Sequence, residues 1–482
     1  MPLAHRVRLS IMALSACFAV LVPAGAAVAA PDPEELRWRD CAVGAEAGIR
    51  CADLPVPADW RDPDGEQITI GTAKLPAKDP AQRQGSLLVN LGGPGPSIGR
   101  LPGVAKQLDE LTAWYDVILV DPRGIGASSE VTCQPAPSFA NLLYSVDRKT
   151  WRDFSAAHRD WAEQCLKAAG SLAGRLDAWQ VAHDLEAIRA ALGTDGLNYY
   201  GNSYGTVYGQ RYADLFPTRV RRMFLDSVAD HTDPSVLRRT IPMAEIAERR
   251  FDRFGEWCAA AAECAVRPRD PRQVFDALMI KADQEPLPAP SAGQDRVVTT
   301  DMLRLKALDA VDSEAGWPDF AAALAAADQG DAGGLWVPSP GQSPGWVASL
   351  AFCSDFPFGQ GWPAMNKIEK ALREIAPRTG WLTARAWYGR CAGLPRQASN
   401  PPRPITAEGV PPILLSNGAE DDTTPPPGGR NVARQLPGSV WFTADAGHRA
   451  YLAGNRCVRD VAHRYLVSGK LPPAGYSCPA GQ

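Results

Sequence analysis

The chain has 482 residues, more than one compact core usually holds without a large insertion, and 45% of them are apolar. Its formal net charge is −4 and no run of clustered Lys and Arg stands out, which argues against nucleic acid as a partner, because phosphate binding needs grouped cations. Small-molecule and peptide substrates stay open.

The N-terminus carries the first pattern. Arg6 and Arg8 precede an apolar stretch from 9 to about 22, and Ala27-Val28-Ala29 offers a small-residue cleavage site. That is the pattern of a signal peptide over residues 1–30, so the protein is expected to be secreted. Pro23 and Gly25 interrupt the run and no stop-transfer charges follow, which counts against a stable membrane span. Leu14-Ser15-Ala16-Cys17 reads as a lipidation box, but the apolar run continues past Cys17, so a lipid anchor is the minority reading.

Without Cys17, ten cysteines remain: Cys41, Cys51, Cys133, Cys165, Cys258, Cys264, Cys353, Cys391, Cys457 and Cys478. An even number in an exported chain points to disulfides. Connectivity does not follow from sequence; pairing each cysteine with its neighbour is the simplest assignment. The absence of a CxxC spacing and the scarcity of His argue against zinc, and no metal or other cofactor is expected.

Beyond the leader, 54–57 and 68–70 read as strands of an antiparallel edge. Ser86–Asn90 and Asp116–Val120 are short apolar runs without clean alternation, as in strands buried on both faces of a parallel sheet. The first leads into Leu91-Gly92-Gly93-Pro94-Gly95, the second into Asp121-Pro122-Arg123-Gly124. Helical spacing over 181–192 ends at Gly193, a strand follows at 197–200, a helix over 206–215 and a strand at 222–226. Strands alternating with helices imply βαβ units and a mainly parallel sheet flanked by helices.

The pattern changes over 229–404, where helical segments at 244–261, 320–327 and 366–375 stand among loops and seven of the 14 Trp occur. Strand character returns at 412–415 and 440–442. This predicts one α/β domain, 31–228 with 405–482, carrying a helical lid at 229–404. No internal repeat is present.

Gly-x-Ser-x-Gly occurs three times, around Ser97, Ser203 and Ser343. The motif has chemical meaning only where a strand turns sharply into a helix, since that turn lifts Oγ above the sheet. Only Ser203, in Gly201-Asn202-Ser203-Tyr204-Gly205, has an apolar strand before it and a helix after it. Ser97 belongs to a glycine loop, and Ser343 sits among prolines and is expected in a loop. In the α/β-hydrolase fold the acid and then the base follow the nucleophile. Three His follow Ser203: His231 at the lid entrance, His463 in a helical stretch, and His448 just past the strand at 440–442, where a loop at the sheet's carboxyl edge belongs. The first two read as structural and His448 as the candidate base. For the acid, Glu420, Asp421 and Asp422 compete in the turn after 412–415. An oxyanion hole needs two N–H donors; Tyr204 supplies one in this fold, and the Gly92-Gly93 loop offers the other, with Gly93 as the candidate. That loop lacks the Lys-Ser/Thr ending of a phosphate-binding loop.

These motifs together resemble the actinobacterial tripeptidyl aminopeptidases of the prolyl-aminopeptidase-like serine peptidases, over nearly the whole mature chain. The markers are Cys51 with Leu54-Pro55-Val56-Pro57, Asn90-Leu91-Gly92-Gly93-Pro94-Gly95, Asp121-Pro122-Arg123-Gly124-Ile125-Gly126-Ala127-Ser128, Tyr199-Tyr200-Gly201-Asn202-Ser203-Tyr204-Gly205-Thr206, the stretch 418–425, and Gly447-His448. The resemblance implies Asp421 as the acid, Ser203 as nucleophile, His448 as base, and two cysteines after the His, here Cys457 and Cys478. Two departures bear on substrate range. Asn90 with an extra Leu91 opens the glycine loop where prolyl aminopeptidases have His, and Arg449 follows His448 where glycine is frequent. An aminopeptidase also needs a lid carboxylate for the substrate's α-ammonium; Glu245, Glu248, Glu256 and Asp355 are the candidates by position. The implied function is a secreted serine exopeptidase acting near free N-termini. A secreted carboxylesterase acting on small esters shares the same triad, and a binding protein that keeps the hydrolase fold is the non-catalytic alternative.

Overall fold

The computed structural model describes residues 36–41, 48–138, 141–144, 147–338, 342–343, 347–356, 358, 361–394 and 398–479. All of these belong to one compact unit, 34–482; the leader at 1–30 and Cys17 lie outside the described residues.

Nine strands form one sheet: β1 (Arg39–Asp40), β2 (Arg50–Pro57), β3 (Gln67–Leu75), β4 (Ser86–Asn90), β5 (Asp116–Val120), β6 (Leu197–Asn202), β7 (Val220–Asp226), β8 (Leu414–Gly418) and β9 (Val440–Ala444). Their order is β1-β2-β3-β5-β4-β6-β7-β8-β9. The first three strands are antiparallel and β3 meets β5 antiparallel; from β5 to β9 every pairing is parallel. The strand order reverses at β4, so the crevice at the carboxyl ends of β4 and β6 is the switch point where such sheets bind ligands. The glycine loop and the Ser203 turn both leave the sheet there.

The inner strands lack polar alternation because both faces are covered. Leu88, Ile118, Tyr199, Leu225 and Leu415 point to one core, and Leu87, Val117, Tyr200, Phe224 and Leu414 to the other. Before β7 the chain supplies α1 (Leu101–Leu108), α2 (Arg148–Ala169), α3 (Ala178–Ala191) and α4 (Gly205–Leu215). Asp177 caps α3 by accepting from Trp179 and Gln180 N–H, and Gly193 closes it at φ +66°.

Between β7 and β8 lie α5 (Val236–Ala260), α6 (Pro271–Gln284), α7 (Thr300–Ala310), α8 (Trp317–Asp328), α9 (Ala348–Asp355), α10 (Trp362–Ile375) and α11 (Leu382–Cys391), with only two-residue strands among them. After β8 come α12 (Pro426–Ala433) and α13 (Arg456–Ser468). α5 starts at Val236 rather than 244, because Ser235 caps it at Arg238 N–H and Pro242 sits inside the helix without ending it. The inserted helices have a core of their own, with Phe251, Phe254, Phe275, Leu278, Phe320 and Leu324. Phe352, Phe356 and Tyr388, in contrast, pack into the core beneath the sheet. The short helix Asn141–Tyr144, ahead of α2, also packs on α7 and α11, so part of the chain before the elbow joins the inserted layer.

The cysteines pair with their chain neighbours: Cys41–Cys51, Cys133–Cys165, Cys258–Cys264, Cys353–Cys391 and Cys457–Cys478. The last holds the C-terminal segment on the sheet edge, where Cys478 N–H donates to Thr443 O at 2.8 Å. Among the described residues no helix is long and apolar enough to cross a membrane.

A buried ion pair fastens β2 to the α3 layer. Arg123, from the Asp121-Pro122-Arg123-Gly124 turn, donates to Asp184 Oδ2 at 2.8 Å and Oδ1 at 2.5 Å, and to the carbonyls of Ala58 and Pro57 at 2.6 and 3.2 Å. Trp60 Nε1 adds a donor to Asp184 at 2.8 Å. Removing one partner strands the other charge. Asp184→Ala is therefore expected to cost about 3–5 kcal/mol in urea unfolding, while Asp153→Ala, which breaks the exposed Lys149–Asp153 pair, should leave the urea midpoint close to that of wild type.

Candidate active site

Ser203 stands between the end of β6 and the start of α4 with φ +54°, a left-handed conformation that costs a non-glycine residue free energy. It is held there on both sides. Its N–H donates to Asp226 O at 3.0 Å, and its carbonyl accepts from Thr206 N–H at 2.9 Å and Thr206 Oγ1 at 2.6 Å. The flanking glycines are required sterically. A Cβ on Gly201 would lie 2.6 Å from Gly205 O, and one on Gly205 would lie 2.6 Å from Asn90 O. The other two motifs lack this geometry. Ser97 is fully buried, with Oγ accepting from Leu91 N–H at 3.1 Å, and Ser343 lies in a two-residue strand paired with Ala136 rather than in a loop.

His448 Nε2 lies 3.0 Å from Ser203 Oγ, and His448 Nδ1 lies 2.9 and 3.0 Å from the two oxygens of Asp421. The three competing carboxylates separate by direction. Asp421 is fully buried and faces the imidazole, Asp422 faces Arg250 at 3.2 Å, and Glu420 faces Arg249 at 4.0 Å. Among the described residues, then, one Ser, one His and one Asp are linked by hydrogen bonds in the order that an acyl-transfer triad requires.

The glycine loop packs directly on the elbow. A Cβ on Gly92, at φ +78°, would lie 2.4 Å from Asn202 O and 2.9 Å from Tyr204 N. Gly92 N–H is engaged by Asn90 Oδ1 at 3.0 Å, which leaves Gly93, at φ +126° and exposed, as the next donor along the loop. Asp121 braces the far side, accepting from Ser97, Ile98 and Ala127 N–H at 2.6, 2.8 and 2.9 Å.

The four lid carboxylates fare differently. Asp355 is fully buried and already accepts from Tyr204 Oη, Asn400 Nδ2 and Ala178 N–H. A substrate ammonium cannot reach it, so its expected role in binding one is corrected. Glu248 is buried and accepts from the N–H groups of Arg378, Thr379 and Gly380, a turn-holding role that likewise removes it from the candidates. Glu245 and Glu256 are exposed on α5.

Residues 378–478 match the family described as TAP-like protein. Over 94% of its length the chain is 28% identical to a tripeptidyl aminopeptidase of Streptomyces lividans, covering 89% of that protein. Over nearly its whole length it resembles proteins named tripeptidyl aminopeptidase. It is also 27% identical to the serine protease Hip1 of Mycobacterium tuberculosis, over 92% of this chain and 91% of that one. To a carboxylesterase B of the same organism it is 28% identical, over 94% of this chain and 91% of the relative.

The two departures noted in the sequence, Asn90 and Arg449, have local counterparts in the structure. Asn90 makes the loop's first hydrogen bond itself and also donates to Val120 O at 3.3 Å. Arg449 adopts φ +64°, where glycine would sit at ease, and its N–H is held by Ser227 Oγ at 2.7 Å.

Sequence reading missed two supporting residues. Thr424 donates to Asp421 Oδ2 at 2.7 Å through Oγ1 and to Oδ1 at 2.8 Å through its N–H. Its place three residues after an aspartate is a common turn pattern and the only signal it gave. Asp226, at the end of β7, is fully buried; burial pushes its carboxyl up to about 6, opposed by hydrogen bonds from Ser416 Oγ and Tyr451 N–H and by His448 nearby. It ties the elbow to the His448 loop and looks like any apolar-strand terminus in sequence.

His231 is structural. It is buried, its Nε2 donates to Asp355 O at 3.1 Å, and burial with Arg211 alongside pushes its pKa down to about 3. An unfolded His titrates near 6.5. Its stabilising contribution is thus present above about 6.5 and lost as pH falls from there toward 3. Urea unfolding at pH 7.5 and pH 5 should show wild type losing on the order of 2 kcal/mol more than His231→Gln over that interval.

Proposed function

We propose that the chain is a serine exopeptidase releasing short peptides from free N-termini, with Ser203, His448 and Asp421 as its triad. One observation carries the reading: the continuous contact from Ser203 Oγ through the His448 imidazole to a buried Asp421. Ser203 Oγ attacks the scissile carbonyl carbon as His448 Nε2 takes its proton. Asp421 fixes the tautomer and stabilises the imidazolium. The oxyanion of the tetrahedral intermediate is met by the N–H groups of Tyr204 and Gly93. His448 then returns its proton to the leaving amine, leaving an acyl-enzyme, and a water deprotonated by His448 completes hydrolysis.

The exopeptidase reading follows the relatives named tripeptidyl aminopeptidase and serine protease. The helical insertion at 229–404 is the cap that selects substrate. Of the four lid carboxylates, we assign the α-ammonium to Glu245. It is exposed on α5 one turn before Arg249, which reaches Glu420 beside the acid; Glu256 lies further along the helix, near Arg272. Five disulfides and the leader at 1–30 fit an exported enzyme. A carboxylesterase with the same triad is the second reading, favoured by the relative of that name.

The readings part on one comparison. A free-amine peptide amide should be cleaved and its N-acetylated twin left intact, with cleavage abolished in a folded Ser203→Ala chain. Equal cleavage of the twins, or hydrolysis of simple esters alone, points to the esterase. Near wild-type turnover by Ser203→Ala removes the triad assignment altogether.

A further inference from the structure

Tyr204 directly follows the nucleophile, and its side chain belongs to the cap as much as to the sheet domain. The ring is buried, 5.3 Å from Tyr208 and 5.8 and 6.1 Å from Phe352 and Phe356, which the cap contributes. Its hydroxyl donates to Asp355 Oδ2 at 2.5 Å. Asp355 is the last residue of cap helix α9 and is fully buried. Its Oδ1 accepts from Asn400 Nδ2 at 2.6 Å, where the chain leaves the cap, and Ala178 N–H donates to both of its oxygens at 3.0 and 3.1 Å. Ala178 opens α3, which packs beside α4, the helix that starts at the elbow. One carboxylate therefore gathers the cap's far end, the flanking helix and the residue whose backbone N–H stands next to Ser203 Oγ.

A fully buried carboxyl of this kind is retained at a cost that apolar packing would avoid. What it holds explains its presence. The peptide between Ser203 and Tyr204 lies at the open end of α4, where N–H groups have no partner inside the helix. Its orientation depends on the strained φ of Ser203 on one side and on the tyrosine side chain on the other. The short hydrogen bond to the Asp355 carboxyl fixes the far end of that side chain.

We propose that Asp355 is a positioning residue for the Tyr204 oxyanion donor, so that the acyl-transfer site is complete only with the cap seated. The proposal rests on the serine-hydrolase reading above and adds that the cap, besides choosing substrate, shapes the hole that binds the oxyanion. Asp355 acts through Tyr204 and touches no substrate.

The test compares Tyr204→Phe, which keeps the ring and deletes the hydroxyl, with Asp355→Asn and the double variant. Each is assayed on a peptide amide and a simple ester, and for affinity to a peptide aldehyde, whose adduct places an oxyanion in the hole. Misplacing one donor should lower kcat by roughly ten- to hundredfold and weaken the aldehyde in parallel, with KM changed less than about twofold. The double variant should be no worse than the weaker single one, because both changes act on the same bond, Asp355→Asn by altering its acceptor and Tyr204→Phe by removing its donor. A purely structural role would instead lower Tm and leave kcat per folded molecule and aldehyde affinity unchanged; that result, a change in KM alone, or multiplying losses would overturn the proposal. Should Asp355→Asn fail to fold, Tyr204→Phe decides alone. A wild type that hydrolyses neither substrate and takes no aldehyde sinks the hydrolase reading and this proposal together, whereas an active wild type matched by Tyr204→Phe sinks only this one.

Discussion

The left-handed backbone of Ser203 is the constraint on which the site turns. A strand that must end with its last side chain raised above the sheet, and then enter a helix at once, has room for this only if the surrounding backbone comes very close. Gly201, Gly205 and Gly92 provide that approach, each at a position where a Cβ would meet backbone atoms. The strain is held in place by β7. Asp226 takes the Ser203 N–H on its carbonyl and the Tyr451 N–H on its carboxylate, and Ser227 holds Arg449 beside His448. Ser203 and His448 are therefore fastened to consecutive residues at one strand terminus, which keeps Oγ and Nε2 at 3.0 Å without a direct covalent link between their loops.

Much of this was readable from sequence because it is local. β4 and β5 have the bounds expected from sequence, since a five-residue, mostly apolar run between turns has few other folded forms. The elbow was chosen among three Gly-x-Ser-x-Gly motifs by the strand before it and the helix after it. The choice among Glu420, Asp421 and Asp422 was different in kind. It depends on which way consecutive side chains leave a turn, and residue type alone does not encode that; the structure sends them to Arg249, His448 and Arg250 respectively.

The cap shows where sequence reading ends. Asp355 and Glu248 were reasonable ammonium ligands by position, yet both are buried and taken up by backbone and side-chain donors from distant parts of the chain. Such partners lie more than a hundred residues away, so no spacing rule reveals them. The cap is also less separable than its composition suggests, since Phe352, Phe356 and Tyr388 belong to the core under the sheet and the Asn141–Tyr144 helix packs against inserted helices. The inserted helices and the Ser203 turn are accordingly joined physically, through the same buried contacts.

Covalent labelling tests whether the Ser203 turn alone among the three serine motifs makes a reactive nucleophile. The protein is treated with a fluorophosphonate, digested and mapped by mass spectrometry. One equivalent of label is expected, on Ser203, and none on Ser97 or Ser343. Label on either of those serines, or a folded protein that takes up none, would contradict that expectation.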